Sequence, residues 1–140
     1  MVAYKHIVLV EDDEEDQQIF FDAITDIDAS ILITCAANGV DALAKLIKMQ
    51  LLPDIIFMDV NMPFMNGFEC LAKIKAQVRL QNVPVVMLTS AKNSQQAEKA
   101  MLLHANYFLS KPPSFNLLKS KITDVIGFKL PPLKATATVA

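Results

Sequence analysis

The chain has 140 residues, of which 53% are hydrophobic and 20% are charged. This length suits one domain, and the apolar content is too high for a disordered chain. With 13 basic residues, 15 acidic residues and a net charge of −2, the chain lacks the basic excess typical of direct nucleic-acid binding. No apolar run approaches the roughly 18 residues that a membrane span requires, so we expect no membrane insertion.

The cysteines and the N-terminus indicate the compartment. Cys35 and Cys70 both lie inside apolar runs, and two free thiols in a core suit a reducing compartment better than a disulfide scaffold. Only four consecutive apolar residues, 7–10, precede an acidic cluster, which excludes a signal peptide. We therefore expect a cytoplasmic, globular protein.

Five short apolar runs recur along the chain, and each is too short for a helix and rich in β-branched or aromatic residues. None of them alternates apolar with polar residues, which is typical of strands buried on both faces of a sheet. The runs span residues 7–10, 31–35, 55–58, 85–88 and 107–109.

Segments with helical periodicity separate these runs, because apolar residues recur there at helical spacing. The alternation predicts an α/β fold, a doubly wound five-stranded parallel sheet with helices on both faces. Residues 1–126 form this domain, and residues 127–140 are expected to be a flexible tail. Lys73, Lys75 and Arg79 are expected on a solvated helix face. The five apolar stripes are Phe20, Ala23, Ile24 and Ile27; Val40, Leu43, Ala44 and Ile47; Leu71, Ile74 and Val78; Ala97, Ala100 and Met101; and Leu118, Ile122, Val125 and Ile126.

Polar side chains follow four of the five predicted strands. Glu11 and Asp12 come directly after the first run, Asp59 after the third and Thr89 after the fourth, while Lys111 comes two residues after the fifth. Because ligands of an open parallel sheet bind outside the carboxyl ends of its strands, we expect these residues to form one site.

The acids at these strand ends require positive charge. Two carboxylates about 4 Å apart repel each other by roughly 4 kcal/mol at an effective dielectric constant near 20. Lys111 supplies one positive charge, and a divalent cation would supply the rest. Because every candidate ligand is an oxygen, Mg²⁺ or Mn²⁺ is favoured over zinc. In such a site Thr89 and Lys111 would bind phosphoryl oxygens, and Asp59 would be the nucleophile. The acid pair could instead be Asp12 and Asp13.

Several short motifs occur together, in an order and at spacings that are specific even though each motif alone is common. The chain resembles, over about residues 5–126, the receiver domain of two-component response regulators of the stand-alone chemotaxis-regulator type. The motifs that carry the resemblance are Val10-Glu11-Asp12, Asn38-Gly39, Pro53-Asp54, Met58-Asp59, Asn61-Met62-Pro63 with Gly67, Val85 to Thr89, and Lys111-Pro112.

The resemblance implies a flavodoxin-like sheet with the strand order 2-1-3-4-5 and a metal site beside the phospho-acceptor. Asp59 would be that acceptor and would also contact the metal. Asp12 would bind Mg²⁺ or Mn²⁺ directly, Glu11 would bind it mainly through water, and Asn61 would offer its backbone carbonyl.

The resemblance also implies catalytic and switch residues. Thr89 would bind the phosphoryl group and reorient, with Phe108 as the second switch residue. Lys111 would pair with a phosphoryl oxygen and precede a cis bond to Pro112. Two departures from the family pattern stand out: Phe108 replaces the commoner tyrosine, and His104 stands where a glycine usually adopts a left-handed conformation.

The function implied is that of a signalling protein rather than an enzyme. A histidine kinase or histidine phosphotransfer protein would donate a phosphoryl group to Asp59, and the chain would assist only its own phosphorylation and dephosphorylation. No DNA-binding segment follows the domain, so output is expected through a protein partner at the fourth helix, fifth strand and fifth helix. A homodimer is also possible. Basic residues expected on this surface are Lys92, Lys99, Lys119 and Lys121.

Two other functions stay open at this point. One is a Mg²⁺-dependent phosphohydrolase with an aspartyl nucleophile, which would need a second aspartate where Asn61 stands. The other is a degenerate receiver that acts as a docking scaffold, and the intact set of acids, Thr89 and Lys111 argues against it.

Overall fold

The computed structural model describes residues 4–90 and 94–127. The predicted tail therefore lies outside the described residues, apart from Gly127. Within the described part, no helix has both the length and the apolar character needed to cross a bilayer.

Five parallel strands form one sheet, and its order is β2-β1-β3-β4-β5. The predicted fold class and strand order are confirmed, and every predicted strand lies within one residue of the observed one. The elements in chain order are β1 (His6–Val10), α1 (Glu14–Ile27), β2 (Leu32–Ala36), α2 (Gly39–Lys48), β3 (Ile55–Asp59), α3 (Gly67–Ala76), β4 (Val85–Thr89), α4 (Ser94–Leu102), β5 (Tyr107–Ser110) and α5 (Phe115–Ile126).

The core has two layers because successive side chains of a strand point to opposite faces. Val8 and Met58 belong to the layer that α2, α3 and α4 cover. Leu9 and Phe57 belong to the layer that α1 and α5 cover. Each large side chain that is fully buried in this way stabilises the fold by about 2 kcal/mol. The two layers fix the sheet from both sides and so hold the strand ends in place.

Two predicted apolar faces are wrong in part. In α2 the buried residues are Gly39, Ala42 and Leu46, whereas Val40 and Ile47 are 52% and 56% exposed. Leu43 is partly buried against the core, and Ala44 is exposed like Val40 and Ile47. The third predicted apolar face extends beyond its helix, because α3 ends at Ala76 and Val78 is exposed.

The prediction of a solvated basic face on α3 is wrong in part: Lys73 is exposed as expected, but Lys75 and Arg79 bond to backbone carbonyls. The ammonium of Lys75 donates to the carbonyls of Gln81 and Val83 and to the side chain of Asn106. The Arg79 guanidinium lies beyond the helix and donates to the carbonyls of Leu46, Met49 and Gln50 at the end of α2. Both cations act as caps for backbone carbonyls, which a pattern of charge along a helix does not reveal.

Gly67 brings the start of α3 against the end of β3. Its backbone N–H donates to the carbonyl of Val60 at 2.8 Å. A Cβ at this position would lie 2.2 Å from the carbonyl oxygen of Asp59 and 2.8 Å from the Met87 side chain. Only glycine permits this approach, so Gly67 helps to position the strand end that carries Asp59.

Candidate functional site

The sheet order places the ends of β1 and β3 side by side, and this brings three acids together. One carboxylate oxygen each of Glu11, Asp12 and Asp59 lies within 4.8 Å of the other two. Glu11 and Asp59 are only 3% and 7% exposed, whereas Asp12 is exposed. The backbone N–H of Glu11 donates to the carbonyl of Ala36, which continues the sheet pairing up to the site.

Asp13 has a different role from its neighbours. It is the N-cap of α1, and its Oδ1 accepts a hydrogen bond from the backbone N–H of Glu15 at 2.9 Å. This is the usual task of aspartate at a helix start. The geometry therefore favours Glu11 and Asp12 as the acid pair over the alternative of Asp12 and Asp13.

Lys111 is the cation that faces the acids. Its Nζ lies 2.6 Å from Glu11 Oε1, 3.1 Å from Asp16 Oδ2 and 3.3 Å from Asp59 Oδ1. Its backbone N–H donates to the carbonyl of Thr89 at 2.6 Å. The ammonium thus connects α1 with the ends of β1 and β3, and the backbone of the same residue continues the pairing of β5 with β4.

The raised pKa values of Glu11 and Asp59 show that burial disfavours their charged forms more than Lys111 favours them. Burial raises the pKa of Glu11, the hydrogen bond from Lys111 opposes that effect and the charge of Asp59 adds to it, so that the pKa is about 7. Burial also raises the pKa of Asp59, against the charge of Lys111 and together with that of Asp12. For Lys111 burial alone would lower the pKa, but the bonded and nearby carboxylates outweigh it and raise the pKa.

A divalent cation fits this group of residues. Two unit charges 4.8 Å apart repel each other by roughly 3 kcal/mol at an effective dielectric constant near 20, and one ammonium cannot compensate three carboxylates. The donors are all oxygens, which hard cations such as Mg²⁺ and Mn²⁺ prefer. Glu11, Asp12 and Asp59 are the residues that would hold it.

The other predicted site residues surround this cluster. Thr89 is fully buried at the end of β4, and its hydroxyl donates to Gln96 Oε1 of α4 at 2.9 Å. Asn61 is exposed, two residues after Asp59, and lines a cavity of about 330 Å³ together with Gln96. Phe108 of β5 is half-buried and packs against the core layer of α2, α3 and α4.

One implied feature is wrong and one is confirmed. The bond between Lys111 and Pro112 is trans, as are the other peptide bonds of the described residues; trans is the lower-energy form of a prolyl bond in general. His104 has a φ of 69°, so it does adopt the left-handed conformation expected after α4. The contacts of Asp16 and Gln96 are not expected from the sequence, although both residues stand in the first turn of a helix that begins beside a site strand.

Comparison with known proteins identifies the family. The family model for the response regulator receiver domain matches residues 7–123. The chain belongs to this family. Acceptance of a phosphoryl group is the standard role of such receivers in two-component signalling.

Relatives and solved structures agree with this assignment. The response regulator Rcp1 of Synechocystis is 30% identical over 133 residues, which cover 90% of this chain and 89% of that protein. A chemotaxis protein CheY homologue of Campylobacter jejuni is 32% identical over 92 residues, which cover 66% of this chain and 70% of that protein. The crystal structure of the phosphorylated cyanobacterial phytochrome response regulator RcpA superposes with a TM-score of 0.81 at 27% identity, over 93% of this chain and 99% of that one.

Replacing Asp59 tests whether repulsion among the three carboxylates destabilises the fold. In metal-free buffer near neutral pH, we expect the free energy of unfolding of Asp59→Asn to equal that of wild type or to exceed it by up to about 2 kcal/mol, because one repelling charge is gone. Urea unfolding curves measure this difference. Asp54→Asn is the matched control at the other end of β3. The Asp54 carboxylate accepts from the backbone N–H groups of Lys5 and His6, so losing its charge should cost about 1 kcal/mol. A clearly less stable Asp59→Asn protein would contradict the electrostatic account.

Proposed function

We propose that Asp59 accepts a phosphoryl group from a phosphohistidine of a histidine kinase or a histidine phosphotransfer protein. The observation that carries the proposal is the position of the Asp59 carboxylate, between the acids at the end of β1 and the ammonium of Lys111. Asp59 is 7% exposed and is the last residue of β3, a strand whose five residues are all buried.

The transfer balances as a direct displacement at phosphorus. An Asp59 oxygen forms the new P–O bond while the P–N bond to the histidine breaks, and the electron pair of that bond stays on the imidazole nitrogen. Lys111 would pair with one phosphoryl oxygen, and the Thr89 hydroxyl, once released from Gln96, would donate to another. These donors would oppose the charge that develops on the phosphoryl oxygens.

Mg²⁺ or Mn²⁺ is the proposed metal, held by Asp12 and Asp59, by Glu11 through water and by the backbone carbonyl of Asn61. When bound it would neutralise phosphoryl charge that Lys111 alone cannot. A structure of the relative Rcp1 in its Mn²⁺-bound form, with a TM-score of 0.74 at 28% identity over 90% of this chain, supports this choice.

The chain is proposed to be a cytoplasmic signalling protein without turnover of an outside substrate. A phosphohydrolase remains the alternative, but the residue two positions after Asp59 is Asn61 rather than a second acid that could protonate a leaving group. A docking scaffold without phosphorylation would have no use for a buried Asp59 that faces a lysine.

Thr89 and Phe108 form the proposed switch. The bond from the Thr89 hydroxyl to Gln96 ties the end of β4 to α4. If the hydroxyl turns to a phosphoryl oxygen on Asp59, this bond breaks and α4 loses a tether. Phe108 packs beside the same helix layer and has no hydroxyl that needs a partner, so its inward position costs little. Phosphorylation would then shift a population of conformations rather than create a new one.

The proposed partner surface comprises α4, β5 and α5, and a second copy of the chain is a further candidate partner. Of the lysines expected on the partner surface, Lys119 is neutralised by a carboxylate, whereas the described contacts of Lys99 and Lys121 are with uncharged groups. Lys119 pairs with Asp26 of α1 at 2.7 Å, Lys99 lies over the Phe68 ring, and Lys121 bonds to Ser110. Lys92 lies outside the described residues.

Phosphorylation can be tested with acetyl phosphate and Mg²⁺, followed by intact-mass spectrometry. We expect one phosphoryl group per wild-type chain and none in Asp59→Asn. Asp13→Asn, which removes the adjacent negative charge but keeps a capping oxygen and changes no proposed ligand, should be labelled like wild type. Label retained in Asp59→Asn would refute the assignment of the acceptor. Sustained release of phosphate, many times per chain, would support the phosphohydrolase instead.

The switch can be tested by NMR with beryllofluoride and Mg²⁺, which imitate the phosphoryl group. We expect backbone shifts to extend from the site into α4, β5 and α5, including Gln96 and Phe108. Asp59→Asn under the same conditions should show none of them. Shifts confined to the ends of β1 and β3 would mean that no signal reaches the proposed partner surface.

A further inference from the structure

Asp16 differs from the other acids that contact Lys111. It belongs to the first turn of α1, its side chain is 42% exposed, and it is outside the group of Glu11, Asp12 and Asp59. Nevertheless its Oδ2 accepts a hydrogen bond from Lys111 Nζ at 3.1 Å. The proposed phosphoryl chemistry assigns no role to this contact.

The contact with Asp16 occupies a donor that a phosphoryl oxygen on Asp59 would need. A lysine ammonium has three N–H donors and three carboxylates surround this one, so no donor is left over for a phosphoryl oxygen. The hydrogen bonds to Glu11 and Asp16 are 2.6 and 3.1 Å long, whereas the Asp59 oxygen is the most distant of the three at 3.3 Å. The ammonium therefore lies closer to Glu11 and Asp16 than to the carboxylate that would receive the phosphoryl group.

Asp16 cannot follow the ammonium toward Asp59, because α1 is fixed. Phe20, one turn further along the helix, is 4% exposed and its ring centroid lies 5.0 Å from that of Phe57 in β3. The position of Asp16 in the first turn also favours a charged carboxylate there, since the N-terminal end of a helix is positive. A movement of Lys111 toward a phosphoryl oxygen must therefore lengthen or break its bond to Asp16.

We propose that Asp16 is a positioning residue that holds Lys111 toward α1 while Asp59 is unmodified and gives up one N–H donor when Asp59 carries a phosphoryl group. The inference rests on the proposed function of Asp59. The bond between Lys111 and Asp16 would thus disfavour the phosphorylated state relative to the unmodified state. Asp16 and Lys111 also line a cavity of about 210 Å³ between α1 and the segment that leads into α5, so the same movement would change the shape of this surface.

The test measures the affinity for beryllofluoride in the presence of Mg²⁺ by isothermal titration calorimetry. We expect Asp16→Asn to lower the Kd about two- to fivefold, the effect of a half-exposed ion pair. Glu15→Gln is the matched control, because it removes the same charge from the same helical turn and Glu15 has no hydrogen bond to Lys111 among the described contacts. Asp16→Glu, which keeps a carboxylate within reach of Lys111, should restore a Kd near that of wild type.

A second readout does not depend on the ligand. In the metal-free protein, the Nζ resonance of Lys111 should shift in Asp16→Asn and stay unchanged in Glu15→Gln. If wild type binds beryllofluoride but Asp16→Asn binds it with an equal or weaker affinity than Glu15→Gln, this inference alone is overturned. A wild-type chain that takes up neither beryllofluoride nor phosphate would overturn the proposed function as well.

Discussion

The structure depends most on a local excess of negative charge at the carboxyl ends of β1 and β3. Glu11 and Asp59 are buried there beside Asp12, and Lys111 is the cation in contact with them within the described part of the chain. Burial of two carboxylates with one ammonium is costly, and a fold selected only for stability would avoid it. The arrangement is favourable only when further positive charge enters the site, and this requirement links the fold to phosphoryl chemistry.

The rest of the fold positions these few side chains. The strand order puts β1 next to β3, the glycine at the start of α3 lets that helix close on the end of β3, and two core layers hold the sheet rigid. Lys111 follows β5, and its ammonium contacts both Asp59 and Asp16 of α1, so the charge of Asp59 acts on a side chain that also contacts this helix. The hydrogen bond from Thr89 to Gln96 provides a second connection, from the end of β4 next to Asp59 into α4.

Much of this could be predicted from the sequence, because a buried parallel strand is recognisable by its apolar run and its end by the first polar residue. The strand ends point to Glu11, Asp12, Asp59, Thr89 and Lys111, and the alternation of elements points to the parallel sheet, whereas the strand order follows only from the resemblance to receiver domains. Reasoning from the pattern fails where side chains reach across the fold. The sequence predicts solvated side chains for Lys75 and Arg79, but these side chains donate to carbonyls 8 and 33 residues away in the chain. It predicts a core position for Val40, but Val40 is exposed. Long side chains and helices at a sheet edge have several possible environments, and only packing decides among them.

The central claim is that the acids at the ends of β1 and β3 form one binding site for a divalent cation. The most direct measurement is a Mn²⁺ titration followed by water-proton relaxation, which counts bound ions. The account predicts one ion per chain, lost in Asp12→Asn and kept in Asp13→Asn, whose side chain caps α1 instead. Normal binding by Asp12→Asn, or loss of binding in Asp13→Asn alone, would contradict it.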